Sequence, residues 1–328
     1  MRPIKVAILG FGTVGSGVYE LIETKQDLLE QLLGGPVRVD AVLVKDVGKS
    51  RTIHDDVLVT DDFSEILRLP ELDVVIEAIV NVEPGYTYLR RAIEAGLYVV
   101  TANKELFANK GFELRQLAEK RGVKVCFEAT VAGGVPIIGA LKQLLRFNQV
   151  VKVEAILNGT MNYILTKMRE DQVSLEEALL QAQRLGYAEA DPANDVEGFD
   201  VLFKVVILLE LLTGRKIDWD LVRCSGISDI TPADISQASV RGERIKHVGS
   251  LVVDDQGQVE AEVRPVSVGE SHKLYAIEGV DNAIVVTGDL TGDLVFQGPG
   301  AGKYPTASIM IEDLVSIFQS IKKAAVSR

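Results

Sequence analysis

Five short apolar runs rich in β-branched residues punctuate the first 130 residues: IKVAILG, VRVDAVLV, LDVVIEAIV, LYVVTAN and VKVCFEA. Between them lie stretches such as GYTYLRRAIEAG and GFELRQLAEKRG, whose apolar positions recur at helical spacing. Apolar strands without alternation belong in a sheet covered on both faces, and intervening helices make that sheet parallel. Gly96 and Gly122 stop two of the helices. From residue 134 the rhythm changes. PIIGALKQLLR predicts a helix opened by proline, QVVKVEAILNG a strand, and SLEEALLQAQRLG a helix with a Ser174–Glu177 capping box and Gly186 as its stop. FDVLFKVVILLELL predicts a further helix. Residues 243 to 298 alternate and carry the turn signals Asp255-Gln256-Gly257 and Thr291-Gly292-Asp293, which predicts several antiparallel strands. After GPGAG comes a last amphipathic helix, TASIMIEDLVSIFQSIKK.

Composition narrows the classes. A chain of 328 residues with 47% hydrophobic and 25% charged residues suits two domains with ordinary cores. No segment reaches the ~20 apolar residues of a membrane span, and MRPIKVAILGFG passes into a strand and glycine turn without a cleavable leader pattern. A cytoplasmic protein without a membrane partner is expected. The net charge of −12 argues against nucleic acid. Cys126 and Cys224 lie outside any CxxC spacing and read as small buried hydrophobes.

VAILGFGTVGSGV places Gly10, Gly12 and Gly15 in GxGxxG spacing between a strand and a helix. With the βαβ rhythm that follows, this predicts a Rossmann-like, doubly wound parallel sheet binding a dinucleotide, joined to an α+β domain. The second strand ends VLVKDVGKSR, where Lys45, Lys49 and Arg51 surround one acid, Asp46. That leans towards NADP over NAD without excluding NAD.

Oxidising an alcohol needs a group to take the hydroxyl proton. The three histidines, His54, His247 and His272, stand in no motif and read as surface residues. Lysine is the alternative, because shielding from water lowers its pKa from about 10.4. Two lysines fit: Lys104, just beyond a strand's C-terminal end, and Lys204. Asp200 and Lys204 stand one helical turn apart at the start of a helix whose apolar run only Lys204 and Glu210 interrupt, and both would be costly to bury unless paired or used. An ordinary i,i+4 ion pair is the plain alternative. Glu189, Asp191 and Asp195 in the preceding loop would receive a cation, and without a nearby histidine an organic ammonium, hence an amino acid substrate, is favoured over a metal.

The glycine turn, TANKELFA, EATVAGGVPII, NGTMNYILT, LGYAEADPANDVEGFDVLFK and GPGAGKYPTAS together resemble the homoserine dehydrogenase family over essentially the whole chain. The resemblance implies reversible oxidation of L-homoserine to L-aspartate 4-semialdehyde with NAD or NADP, on the branch to threonine, methionine and isoleucine. It implies Lys204 as proton donor and acceptor, with Lys104 as a second catalytic residue close to both the nicotinamide and the reacting oxygen. Glu189, Asp200, Asp195, Gly159, Thr160 and Tyr187 would surround the substrate. Gly10, Phe11, Gly12, Thr13, Val14, Gly15, Lys45, Val80, Gly186 and Gly302 would contact the cofactor. A monovalent cation, sodium in most members, would take Glu128 and the carbonyls of Val131, Gly133 and Val135.

The implied domains are 1–133 for the nucleotide, 134–300 for catalysis, substrate and dimerisation, and 301–328 as a helix returning to the first. The resemblance implies a homodimer, whose pairing would cover the open edges of the second sheet. Val80 and Asn81 replace a Gly-Gly pair common in the family, and Ala132 a common glycine. Many relatives continue into a C-terminal ACT domain that binds threonine; this chain stops soon after the last helix, so inhibition by threonine of that kind is not expected. Two rivals remain. The first is another enzyme of the same architecture, such as an aspartate semialdehyde or diaminopimelate-pathway oxidoreductase; the former needs a reactive cysteine, which neither Cys126 nor Cys224 resembles. A non-catalytic dinucleotide sensor has no use for Lys104, Lys204, Asp200 and Glu189 together.

Overall fold

The computed structural model describes residues 2–326 except Ala190, Asp255 and Gly257. The chain divides into two compact units, residues 1–134 with 302–328, and residues 135–301.

The first unit runs β1 (Ile4–Leu9), α1 (Thr13–Thr24), α2 (Gln26–Leu33), β2 (Val37–Leu43), β3 (Leu58–Thr60), α3 (Phe63–Leu67), β4 (Val74–Glu77), α4 (Gly85–Glu94), β5 (Tyr98–Thr101), α5 (Lys104–Arg121), β6 (Val125–Cys126) and α6 (Ala129–Ala132). Its strands form one parallel sheet in the order β3-β2-β1-β4-β5-β6. The order reverses between β1 and β4, and open sheets of this kind bind ligands beyond the strand ends at that point. Fully buried Val6, Ile8, Val74, Ile76 and Val100 explain why these strands read as apolar runs without alternation. LDVVIEAIV is strand only to Glu77, because the Glu77 carboxylate accepts the Ile79 N–H at 2.7 Å and turns the chain out of the sheet. Three-residue β3 has too little length to show a period.

The second unit runs α7 (Ile137–Leu144), β7 (Val150–Ile156), α8 (Gly159–Glu170), α9 (Leu175–Arg184), α10 (Ala193–Val196), α11 (Phe199–Thr213), β8 (Arg223–Cys224), α12 (Pro232–Val240), β9 (Glu243–Val253), β10 (Val259–Gly269), β11 (Asp281–Gly288) and β12 (Gly292–Pro299). Its sheet has the order β12-β11-β7-β9-β10-β8, antiparallel except where two-residue β8 joins β10. Helices α8, α11 and α12 pack against β9. The Ser174–Glu177 capping box opens α9, and Gly186 beyond its end is left-handed at φ +77°. The Thr291–Asp293 turn is present with Gly292 at φ +65°, whereas Asp255 and Gly257 of the other turn lie outside the described residues.

Helix α13 (Lys303–Val326) packs against α1, α2 and β5 of the first unit. Ala307, Met310, Leu314 and Ile317 form its buried stripe. Among the described residues no helix is long and apolar enough to cross a membrane.

Candidate active site

In the first unit the glycine turn is built for close approach. Gly10 sits at φ +91°, and a Cβ there would lie 2.7 Å from the Ala78 carbonyl oxygen. A Cβ on Gly15 would lie 1.9 Å from the Gly10 carbonyl oxygen. By contrast a Cβ on Gly12 would meet nothing within 4 Å. Gly12 is also the N-cap of α1 and offers no side chain to its N–H groups, so an anion can be received there. Gly10, Phe11 and Gly12 line a cleft of about 460 Å³ with Lys45, Arg51, Asp61, Val80 and Tyr88. These features fit a dinucleotide. Thr13 is exposed and Val14 half-buried in the first turn of α1. Phe11 is braced edge-to-face by Tyr19, with ring centroids 5.6 Å apart. Val80 is 71% exposed. Asp46 turns its carboxylate to the Gly48 N–H at 2.9 Å.

Gly302, at φ +129°, leads into α13. That helix start is held to α1 by Lys303 and Tyr304, whose side chains reach Glu20 at 2.5 and 2.7 Å. Lys104 opens α5 and is exposed; its helix is capped by Asn103, whose Oδ1 accepts the Leu106 N–H at 3.0 Å. Buried Glu128 stands at the N-terminal end of α6, and its backbone N–H donates to Asp313 at 2.9 Å. Val131 lies in α6, and Gly133 beyond its end turns the chain at φ +56°; Val135 begins the second unit.

In the second unit Asp200 and Lys204 are 3% and 7% exposed, and Lys204 Nζ lies 2.8 Å from Asp200 Oδ2. Nζ also donates to the Leu157 carbonyl at 2.5 Å, and that oxygen accepts Asn282 Nδ2 at 3.1 Å. Asn158 ties the pair to the acidic loop: Nδ2 donates to Asp200 Oδ2 at 2.9 Å and to Asp195 Oδ1 at 2.8 Å. Its Oδ1 accepts the Met161 N–H at 2.8 Å and so caps α8. Gly159 and Thr160 follow on that helix, and the Thr160 hydroxyl donates to the Tyr187 carbonyl at 2.6 Å. Tyr187 is exposed and tilts against Tyr163, with centroids 5.1 Å apart. Glu189 is exposed, its backbone carbonyl held by Gln183 at 3.0 Å. Gly186 is exposed beside it.

Gly159, Thr160, Tyr187, Asp195, Asp200 and Lys204 thus converge, and so do Gly10, Phe11, Gly12, Lys45 and Val80. Sequence reasoning passed over Asn158, Asn282, Asp61, Tyr88 and Glu77. Only Asn158 carried a signal, as a capping residue before an apolar run.

The histidines require one correction. His54 and His272 are partly or largely exposed, but His247 is 3% exposed. It sits on β9, with Nε2 2.9 Å from the Ser225 carbonyl and Nδ1 without a partner among the described residues. Burial pushes its pKa down to about 4, against the opposing pull of the Ser225 hydrogen bond and the Asp200 charge. Cys126 and Cys224 are also only half-buried, and burial raises the Cys224 thiol. No cluster of three or more His, Cys, Asp or Glu side chains suited to a metal exists among the described residues.

Comparison with known proteins matches these features. The family profile described as homoserine dehydrogenase matches residues 136–315, and that of the homoserine dehydrogenase NAD binding domain matches residues 10–128. The homoserine dehydrogenase of Bacillus subtilis is 41% identical over 324 residues, covering 98% of this chain and 74% of that protein. The Lactococcus lactis enzyme is 38% identical, covering 99% and 76%. The crystal structure of a homoserine dehydrogenase from Thiobacillus denitrificans superposes with a TM-score of 0.93 at 36% identity, covering 98% of this chain and 74% of that one. A hyperthermophilic archaeal homoserine dehydrogenase in complex with NADPH gives 0.83 at 26% identity, covering 98% of each. The chain therefore belongs to the homoserine dehydrogenase family, NAD(P)-dependent oxidoreductases that convert L-homoserine reversibly to L-aspartate 4-semialdehyde on the route to threonine, methionine and isoleucine.

Proposed function

We propose that Lys204 takes the hydroxyl proton as homoserine is oxidised and returns it in the reverse direction. The supporting observation is the enclosed Asp200–Lys204 pair held from three sides. Asp200 and the Leu157 carbonyl fix Nζ before substrate arrives, and Asn282 fixes that carbonyl, so little reorganisation is needed at the moment of transfer. A lysine nitrogen in a largely water-excluded site would serve in both directions, accepting the hydroxyl proton in oxidation and giving it back in reduction. Glu189, Asp200 and Asp195 supply negative charge for the substrate ammonium, with Gly159, Thr160 and Tyr187 around them. When bound, the cofactor supplies the nicotinamide that exchanges hydride with the substrate carbon. The chain would hold that cofactor through Gly10 to Gly15, Lys45, Val80, Lys104, Gly186 and Gly302.

The test is reduced-nicotinamide absorbance on adding homoserine to purified protein with NADP or NAD. Lys204→Ala should lower kcat by about 10²- to 10⁴-fold, the usual worth of a positioned acid or base. Retention of kcat within threefold would remove Lys204 from this role.

NADP is the proposed preference, supported by Lys45 and Arg51 at the cleft and by the engagement of Asp46 in its own turn. An archaeal relative bound to NADPH points the same way. Arg51→Glu should lower kcat/KM for NADP at least about tenfold, one lost phosphate contact being worth ~1.5–3 kcal/mol, and leave NAD nearly unchanged. A monovalent cation, taken as Na+, would be held by Glu128 with the carbonyls of Val131, Gly133 and Val135. These are hard oxygen donors, and the turn at Gly133 bends the chain as a carbonyl site requires. Exchange of Na+ for choline should lower the melting temperature of the parent and leave that of Glu128→Gln unmoved. A homodimer through the second sheet is supported by β12, an edge strand with Val295 exposed, and sedimentation would show it.

A further inference from the structure

Glu77 is 0% exposed at the end of β4, and neither the lysine chemistry nor the glycine turn uses it. Three donors converge on its carboxylate, one from the turn just beyond it and two from the junction between β5 and α5. Oε1 accepts the Ile79 N–H at 2.7 Å and, more weakly, Asn103 Nδ2 at 3.4 Å; Oε2 accepts the Thr101 hydroxyl at 2.5 Å. The same Asn103 amide donates to the Asn81 carbonyl at 2.7 Å, while Asn103 Oδ1 caps α5 one residue before Lys104. Asn81 holds φ +70°, and its neighbour Val80 lines the cofactor cleft. The start of α4 closes the enclosure: a Cβ on Gly85 would lie 3.5 Å from Glu77 Oε1 and 2.7 Å from Leu106.

We propose that Glu77 is a positioning residue for hydride transfer: through Asn103 it locks the loop of Ile79 to Asn81, which walls the cofactor cleft, to the helix start that carries Lys104. A carboxylate offers two oxygens to these donors, whereas an amide or an apolar side chain offers one or none. Packing alone would be served at less cost by an apolar residue, because burying a carboxyl is unfavourable even when it is hydrogen-bonded. The inference deepens the assignment of Val80 and Lys104 to the nicotinamide end and rests on it.

Two variants test it. Glu77→Gln keeps size and one acceptor, and Asn103→Ser keeps an oxygen to cap α5 but loses the amide that bridges to Asn81. In both, the cofactor KM should rise roughly fivefold and kcat fall about tenfold, below the ~10²-fold that a misplacement of about 1 Å can cost. The homoserine KM should stay within twofold and the melting temperature fall by no more than a few degrees, a division that mere loss of structure would not produce. Cofactor KM and kcat within twofold of the parent in folded variants would overturn the proposal, as would losses that track melting temperature. Should Glu77→Gln not fold, Asn103→Ser decides alone. Homoserine-dependent reduction by the parent enzyme checks the underlying reading separately: its absence would defeat that reading, while its presence with indifferent variants would defeat only the role of Glu77.

Discussion

Lys204 and Asp200 answer at the residue scale why a largely apolar helix carries an ion pair one turn apart. A buried ion pair does not in general repay its desolvation better than well-packed apolar groups do, so stability alone is a weak reason for this one. The double variant Asp200→Asn with Lys204→Met should therefore fold with stability unchanged or raised by about 1–4 kcal/mol, yet be inactive. Lys204→Met alone, which leaves Asp200 buried without its cation, should lose about 3–5 kcal/mol. Urea unfolding of the two proteins measures both, and a double variant as unstable as the single one would contradict the account. These two residues were legible in the sequence because charge inside an apolar run is conspicuous. Asn282 was not, since its partner carbonyl lies at Leu157 and no local pattern joins the two.

At the scale of elements, the same device appears twice. Asn103 and Asn158 each follow a strand and cap the next helix with Oδ1, which frees Nδ2 to reach another segment: Asn81 for the one, Asp195 and Asp200 for the other. Capping thus aims the helix and braces the site with a single side chain. Asn158→Ala should lose about 1–2 kcal/mol through the cap and leave two carboxylates short of a donor. Asn158→Ser should restore the cap but not the homoserine KM, a separation that unfolding and steady-state kinetics read independently. Equal recovery of both would show that the amide bridge does nothing for the substrate. Capping signals and helix-stopping glycines were readable locally. The short β3 and the truncation of β4 were not, because the latter depends on a carboxylate whose other partners arrive with β5 and α5.

For the whole molecule, Glu77 and His247 give stability opposite dependences on pH. Burial raises the Glu77 carboxyl from its usual 4.5 to about 7, against the opposing effect of Thr101, Ile79 and Asn103. Its contribution is fully present below pH 4.5 and is lost as pH rises through about 7. His247, lowered from 6.5 to about 4, contributes above pH 6.5 and loses that contribution as pH falls through about 4. Each span of about 2.5 pH units, at ~1.4 kcal/mol per unit, amounts to about 3 kcal/mol, and the two largely offset one another between pH 4.5 and 6.5. Glu77→Gln should consequently gain stability relative to the parent as pH rises from 5 to 7, and unfolding midpoints across that range measure it; parallel profiles would contradict the burial of an ionisable Glu77. The sequence by itself determined the doubly wound sheet, the glycine turn and the charged pair within α11, because each rests on a short-range period or spacing. Only the tertiary structure decided that His247 is buried, that Leu157 and Asn158 hold the lysine and aspartate, and that Glu77 ties its own turn to the junction between β5 and α5. Apart from the Ile79 N–H, those interactions join residues 22 to 47 positions apart, and hydrogen bonds over such separations leave no periodic trace in the chain that makes them.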